Sequence, residues 1–241
     1  MRSTGQRCAR RWDAMADIGI VLPVFDGEPY LAEALDSIAA QTVQPCDVVA
    51  VDDGSTDGSR RLLQAFGARV LDTGRVGQAA ARDRGIAAVR GDLLAFLDQD
   101  DRWRPGKLET QQGYLNANPD ISFVGGYCAV FLQPGAQRPA WWKAAWDSGE
   151  PEPSLLPSAT LYRRSAFETA GGFAAAGVRI SEDLAWTARA QDRGLRRSII
   201  DEVVVDRRIH HHNLSGDADA RVREHLAIVR ASLERKRGRG A

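Results

Sequence analysis

Four short apolar runs, separated by segments of helical period, set the strongest limit on how this chain folds. "IGIVLPV" (Ile18–Val24), "DVVAVDD", "ARVLDT" and "DLLAFLD" read as buried strands. Between them, "YLAEALDSIAAQ" repeats apolar residues at Leu31, Leu35 and Ile38, the period of a helix. A second helix follows the turn chemistry of "GSTDGS" and runs through Leu62, Leu63 and Phe66; the alanine-rich "QAAARDRGIAAVR" is a third. Strands that alternate with helices argue for a parallel sheet covered on both faces.

The second half changes character. "KLETQQGYLNANP" is a helix stopped by Pro119, and "ISFVGGYCAVFL" is a strand whose paired glycines permit a bend. Residues 133–157, rich in proline and tryptophan, have no periodicity and read as a long loop. A strand "SATLYRR", a helix after Arg164 and a helix "EDLAWTARAQDRG" with Ser181 as candidate cap follow. "RRSIIDEVVVDRRIHHHNLS" reads as strands returning to the sheet. A last helix from about Asp219 carries a stripe at Val222, Leu226, Val229 and Leu233 before the basic "RKRGRG". With no internal repeat and no separable linker, one α/β domain over residues 17–241 is expected. The arginine-rich residues 1–16 form an extension expected to be disordered, and Met15 is a candidate natural start.

Charge and cysteine usage exclude several classes. Basic and acidic side chains balance at 32 each, so no global field recruits nucleic acid. Cys8, Cys46 and Cys128 are scattered without metal-ligand spacing, which suits a reducing compartment. No apolar run approaches the ~20 residues that cross a bilayer, and none resembles a secretory signal. The cytoplasm is the expected location.

The chemistry concentrates at strand ends. "FLDQDD" places Asp98, Asp100 and Asp101 within four positions, although two carboxylates ~4 Å apart repel by roughly 4 kcal/mol at an effective dielectric of ~20. Solvent, a shifted pKa or a cation must compensate. Asp52–Asp53 closes an earlier strand, and Glu182–Asp183 opens a helix. In open parallel sheets ligands bind beyond the carboxyl ends of the strands, so the first two clusters face one edge. Each alone has a plainer reading as turn or helix-capping residues. Two carboxylates one residue apart can reach one centre, and hard oxygen ligands suit magnesium or manganese bridging to phosphate. There is no G-x-x-x-x-G-K-[ST] and no G-x-G-x-x-G after the first strand, which counts against a P-loop nucleotidase and a dinucleotide-dependent dehydrogenase.

"VDDGSTD", "GQAAARDRGI" before "GDLLAFLDQDD", "AGGF" and "SEDLAW", in that order, resemble glycosyltransferase family 2. The opening "LPVFDGEPYLAEALDSIAAQT" resembles that family's first strand and helix, and the likeness extends from Ile18 to about Ser215. The resemblance implies a GT-A fold: a single Rossmann-like domain with a mostly parallel central sheet and a C-terminal acceptor-side half. Residues 17–101 would bind nucleotide, 102–215 would form the acceptor side, and 216–241 the final helix and basic tail.

The same resemblance implies residue roles. Pro23, Phe25 and Asp53 would line the base pocket, with Asp53 accepting from a ring N–H; Asp26 stands where the family often has asparagine. Arg82 would face the nucleotide, Asp98 the ribose or metal, and Asp100 would bind the metal, Mn2+ or Mg2+, directly. Asp101 reads as a helix-capping residue rather than a ligand. Asp183 matches the family's base, with Glu182 as competitor. A helix N-terminus makes a carboxylate a poorer base, an effect that burial beside Trp186 or Leu184 can offset. The segment "RRIHHHNLS" maps onto an R-x-H-x-x-N-x-S/T pattern at Arg208, His210, Asn213 and Ser215. His210 is the expected metal ligand, with a register shift to His211 or His212 left open, since consecutive strand residues point opposite ways.

The acceptor is not legible. Trp103 and Trp186 flank the metal and base positions, and Trp141, Trp142 and Trp146 sit in the long loop. Aromatic faces suit sugar rings, lipid or peptide; they equally close a loop over apolar surface. The basic end of the last helix suits a peripheral contact with anionic phospholipid, and equally a helix packed on its own domain with a solvated tail. The expected activity is an inverting, hexosyltransferase-like transfer of one sugar. The donor would be a nucleotide-diphosphate sugar, most simply a UDP-sugar, and the acceptor a glycan, lipid-linked sugar, peptide or metabolite. The rivals are a sugar nucleotidyltransferase and an inactive nucleotide-sugar-binding module. The first wants a basic glycine-rich loop that "PVFDGEPYL" lacks, and the second wants losses in acidic clusters that are intact.

Overall fold

Strand β1 (Ile18–Val24) is buried at all seven positions, which requires cover on both faces of the sheet it enters. Ile20, Leu22 and Val24 look into one apolar cluster and Val21 into the other. The computed structural model describes residues 16–211, 213 and 218–238. Almost all of the expected N-terminal extension, together with Met15, His212 and Ser215, lies outside the described residues.

The first cluster is closed by α1 (Glu28–Ala39), α2 (Ser59–Phe66) and α4 (Lys107–Ala117) through Leu31, Leu35, Ile38, Leu63, Leu108 and Leu115. Pro29 sits in the first turn of α1, where its missing N–H has no partner to lose. The second is closed by α3 (Gln78–Ala88), α5 (Arg164–Ala170) and α6 (Glu182–Asp192) through Ala81, Phe167, Trp186 and Ala190. At its centre Trp186 packs against Phe123, Tyr162 and Phe167 with ring centroids 4.8–5.1 Å apart.

Strands β2 (Asp47–Asp52), β3 (Arg69–Asp72) and β4 (Leu93–Phe96) join β1 in the parallel order β3-β2-β1-β4. Val24 pairs with Asp52 and Val21 with Phe96, so three strands end at one edge and release Phe25, Asp53 and Asp98 there. Beyond β4 the sheet continues through β8 (Leu161–Arg163), β6 (Ile121–Leu132), β9 (Arg196–Ile209) and β5 (Arg102–Trp103), with β7 (Glu152–Ser154) on β6. Here β6 and β9 run parallel, while β8, β7 and β5 pair antiparallel.

Several elements differ from the sequence expectation. The paired glycines of β6 mark slips in register within a long strand, because side chains there have no room. A Cβ on Gly125 would meet Ser154 O at 2.2 Å, and one on Gly126 would meet Val204 at 2.7 Å. The loop 133–157 contains β7 and a 3-10 turn at Ala144–Ser148 that buries Trp146. "SATLYRR" starts within a 3-10 turn (Pro157–Ala159), and the segment from Arg196 is one strand.

The last helix, α7 (Ala218–Arg237), packs on α6 with the face opposite to its apolar stripe. Ile228 is buried, Ser232 and Arg235 bond Asp192, and Val222, Leu226, Val229 and Leu233 are all exposed. Among the described residues no helix is long and apolar enough to cross a membrane.

Candidate active site

A cleft of about 1050 Å³ opens at the carboxyl edge of β1, β2 and β4. Pro23, Phe25, Asp26, Asp53, Arg82, Asp98, Asp100, Glu182, Asp183 and His210 all line it, so residues up to 187 positions apart in the chain converge on one space. The backbone of Phe25 is pinned by Gln99, whose Oε1 accepts its N–H at 2.8 Å and whose Nε2 donates to its carbonyl at 3.0 Å. Arg75 lies 4.5 Å over the Phe25 ring. Asp26 has φ 46°, a left-handed conformation that Asn and Asp tolerate better than other side chains, and its Oδ1 accepts the Thr56 N–H at 2.7 Å. Asp53 Oδ1 accepts from Thr73 Oγ1 and the Val76 N–H, and Oδ2 accepts the Gly77 N–H at 2.7 Å. A carboxylate takes about four such bonds, which leaves a lone pair on Oδ2.

The crowded aspartates are separated by their partners. Arg82, only 1% exposed, donates from Nη2 to Asp98 Oδ1 and from Nη1 to Glu182 Oε1, each at 2.5 Å. Burial opposes its charge, but the two carboxylates prevail and hold the guanidinium pKa above its ordinary value. Asp101 turns inward and accepts the Arg208 N–H at 3.2 Å. It does not cap a helix, because α4 begins at Lys107 behind Gly106. Burial, then the Asp100 and Asp98 charges, push its carboxyl well above the usual range. Asp100 is met by the other end of the sheet: His210 Nε2 lies 2.9 Å from its Oδ2, and Asn213 Nδ2 donates to the same oxygen at 3.1 Å. Arg208 donates to the Asp100 carbonyl at 3.0 Å, and the His210 ring stacks on Tyr30 at 4.5 Å. His211 is exposed.

Among the described residues no three His, Cys, Asp or Glu side chains form a ready metal cage. The Asp100–His210 pair offers one oxygen and one nitrogen donor at an open cleft. That set fits magnesium or manganese, which keep several positions for phosphate oxygens and water.

The opposite lip is the start of α6. Ser181 holds the N-cap position without a side-chain cap bond; instead Glu224 of α7 accepts the N–H groups of Arg179, Ile180 and Ser181 at 2.9–3.0 Å. Glu182 is 4% exposed, with one oxygen committed to Arg82. Burial raises its pKa, Arg82 lowers it, and the Asp183 charge raises it again, for a net increase. Asp183 keeps partial exposure to the cleft although its carboxyl is surrounded by protein atoms. Desolvation raises its pKa against the Leu184 N–H, 2.7 Å from Oδ1, and the Arg82 and Arg207 charges. Burial therefore wins over the helix N-terminus. Leu184 is 42% exposed and does not supply that burial.

Trp103 and Trp186 are corrected as acceptor residues: both face the core and neither lines the cleft. Trp103 Nε1 donates to the Ser158 carbonyl at 2.7 Å and Trp186 Nε1 to that of Gly171 at 2.9 Å. Trp103→Phe leaves the Ser158 carbonyl without that partner and is expected to cost about 1–3 kcal/mol in urea unfolding, with donor affinity unchanged. Gln78, Gln99, Arg75, Tyr30, Arg179 and Arg207 also line this cleft and were not foreseen. Gln99, between Asp98 and Asp100, and Arg207, beside Arg208, could have been read from their neighbours; the others enter through contacts that join distant loops.

The chain matches the family model "Glycosyl transferase family 2" over residues 19–171. An uncharacterized glycosyltransferase of Rickettsia typhi is 32% identical over 116 residues, covering 46% of this chain and 36% of the relative. Glycosyltransferase GlyG of Streptococcus pneumoniae is 32% identical over 116 residues, 46% of this chain and 38% of that protein. The chain thus spans little more than a third of the length of these curated relatives. Among solved structures, S. aureus TarS 1–349 in complex with UDP-GlcNAc superposes with TM-score 0.65 at 16% identity, covering 88% of this chain and 66% of that one. Glucosyl-3-phosphoglycerate synthase from Mycobacterium tuberculosis, with Mn2+, UDP and glucosyl-3-phosphoglycerate, gives 0.62 at 20% identity, covering 90% and 80%. The architecture is that of the GT-A glycosyltransferases.

Proposed function

Because the chain belongs to glycosyltransferase family 2, we propose that it moves one sugar, with inversion, from a UDP-sugar to a hydroxyl or similar nucleophile of a glycan, lipid-linked sugar, peptide or metabolite. The observation that carries this reading is the convergence of Asp53, Asp98, Asp100 and Asp183 on one cleft. The UDP-GlcNAc bound by TarS and the Mn2+ and UDP bound by the mycobacterial synthase favour a uridine donor and a divalent cation.

In this reading residues 17–101 bind the nucleotide, residues 102–215 bear the acceptor, and the enzyme works in the cytoplasm. Asp53 Oδ2 takes the ring N–H of the base beside Phe25. Asp98, fixed by Arg82, receives the ribose edge. Asp100 and His210 would hold the cation, which when bound would supply positive charge to the diphosphate. Asp183 takes the acceptor's proton as its oxygen bonds to the anomeric carbon and the carbon–oxygen bond to the diphosphate breaks. Attack from the Asp183 lip, opposite the diphosphate, inverts the centre. Glu182 stays bound to Arg82 and orients that guanidinium.

The test is a melting series with UDP and manganese, followed by a donor-hydrolysis screen. Saturation at about 100 times Kd should stabilise the fold by about 2.7 kcal/mol, and Asp100→Ala should remove the manganese-dependent part. No shift with any nucleotide, or an undiminished manganese effect in Asp100→Ala, defeats the assignment.

A further inference from the structure

Helix α7 exposes an apolar stripe that its own fold does not use. Val222, Leu226, Val229 and Leu233 are 50–58% exposed, the largest such group among the described residues. Their spacing of four, three and four residues aligns them on one face over ~17 Å of axis. The opposite face is committed to the domain through Ile228, the Glu224 clasp on residues 179–181, and the bonds of Ser232 and Arg235 to Asp192. The stripe is therefore presented outward by a helix anchored from behind.

Charge chooses the occupant. Arg223, Arg230 and Arg237 recur every seven residues along one border of the stripe, and Lys236 lies on the other; all four are exposed. The exposed acids of the described helix are Asp219, in line with the stripe three residues before Val222, and Glu234, which sits away from the stripe. In a coiled coil with a second copy, the stripe would fill the a and d positions and the three arginines every e position. An antiparallel pairing would set arginine against arginine along the border, with Asp219 meeting Lys236 only at the two ends, and a parallel one would set the arginines against His225 and Ser232 and bring Asp219 against Asp219. Two heptads are also short for a self-supporting pair. An apolar face bordered by long cationic side chains suits an anionic bilayer, where the aliphatic residues enter the acyl boundary and the arginines reach the phosphates.

We infer that α7 is a lipid-docking helix, which lies in the plane of an anionic phospholipid surface on Val222, Leu226, Val229 and Leu233. The helix that docks also holds, through Glu224, the segment leading into Asp183. Anchoring thus buttresses the lip of the cleft. This inference does not rest on the glycosyltransferase reading, and its test needs no substrate.

The test is co-sedimentation of the full chain with vesicles of phosphatidylcholine alone or mixed in equal parts with phosphatidylglycerol. Binding is expected to the anionic vesicles and to be weak on the neutral ones. Each basic residue near such a surface contributes about 1 kcal/mol, a factor of about five. Replacing Arg223, Arg230 and Arg237 by glutamine should therefore lower the partition coefficient roughly a hundredfold. Leu226→Ser with Leu233→Ser should abolish binding while leaving the melting temperature unchanged, since both side chains already face solvent. Unchanged binding in that double variant, or no binding by the parent to anionic vesicles at low salt, overturns the inference. So does a concentration-dependent dimer in sedimentation velocity that the double variant abolishes, which would assign the stripe to a second copy.

Discussion

Asp183→Asn is expected to lower kcat by about 10²–10⁴-fold, the usual contribution of a positioned general base. The UDP-induced rise in melting temperature should stay intact, since Asp183 stands at the α6 lip of the cleft rather than beside Phe25 and Asp53. Asn keeps the shape and still accepts the Leu184 N–H through its amide oxygen, so the loss reports proton transfer. The pH profile adds an independent reading. Burial raises the Asp183 pKa above its ordinary 3.8, so the acidic limb of kcat should lie above that value and vanish in the variant. A raised folded-state pKa also means that stability is present below the unfolded value and lost as pH rises through the folded one. Near neutral pH the ionised Asp183 therefore opposes folding. Asp183→Asn should unfold in urea at the parent's midpoint or above it. A variant with near-parent kcat, or one clearly less stable, would move the base elsewhere.

Arg82→Met is expected to have the largest effect on the fold. It strips one cation from between Asp98 and Glu182, and breaking a buried ion network from one side costs about 3–5 kcal/mol. That is a large share of the about 5–15 kcal/mol that holds an ordinary domain together. Adding Glu182→Gln should recover part of the loss, because the stranded buried charge is removed with its partner. The pH dependence has a definite sign. Without Arg82 the Glu182 pKa rises further, so its deficit should shrink as the pH is lowered towards the ordinary value of 4.5. A urea midpoint within about 1 kcal/mol of the parent, or no rescue in the double variant, would show that the triad is not what joins donor side to acceptor lip.

The triad shows where sequence reasoning stops. In the sequence Arg82 is expected to face the nucleotide and Glu182 to compete with Asp183 as base; nothing there pairs them with each other. They lie 100 residues apart, and only the fold, in which α3 and α6 both pack on the turn at Phe173–Ala176, brings them together. Trp103 and Trp186 err in the other direction: each lies within three residues of a cleft residue, Asp100 or Asp183, yet both rings are buried in the core. The stripe of α7 has the period of a packed helix, and periodicity cannot say whether the partner is the protein itself.

The sequence alone was enough for the alternating β and α elements, the parallel half of the sheet and the strand ends where the aspartates emerge. Those follow from local apolar period and from the rule that ligands gather at the carboxyl edge, and both are written in short stretches of chain. Only the tertiary structure decided how the acidic crowding is relieved: Arg82 from one helix, Arg208 and His210 from the end of β9. It alone decided which carboxylate at the α6 start is committed to an ion pair and which stays open to the cleft. The reason is physical. Desolvation and Coulomb attraction act through space within a few ångströms, so a side chain's charge state and partners are fixed by its neighbours in space, near or distant along the chain.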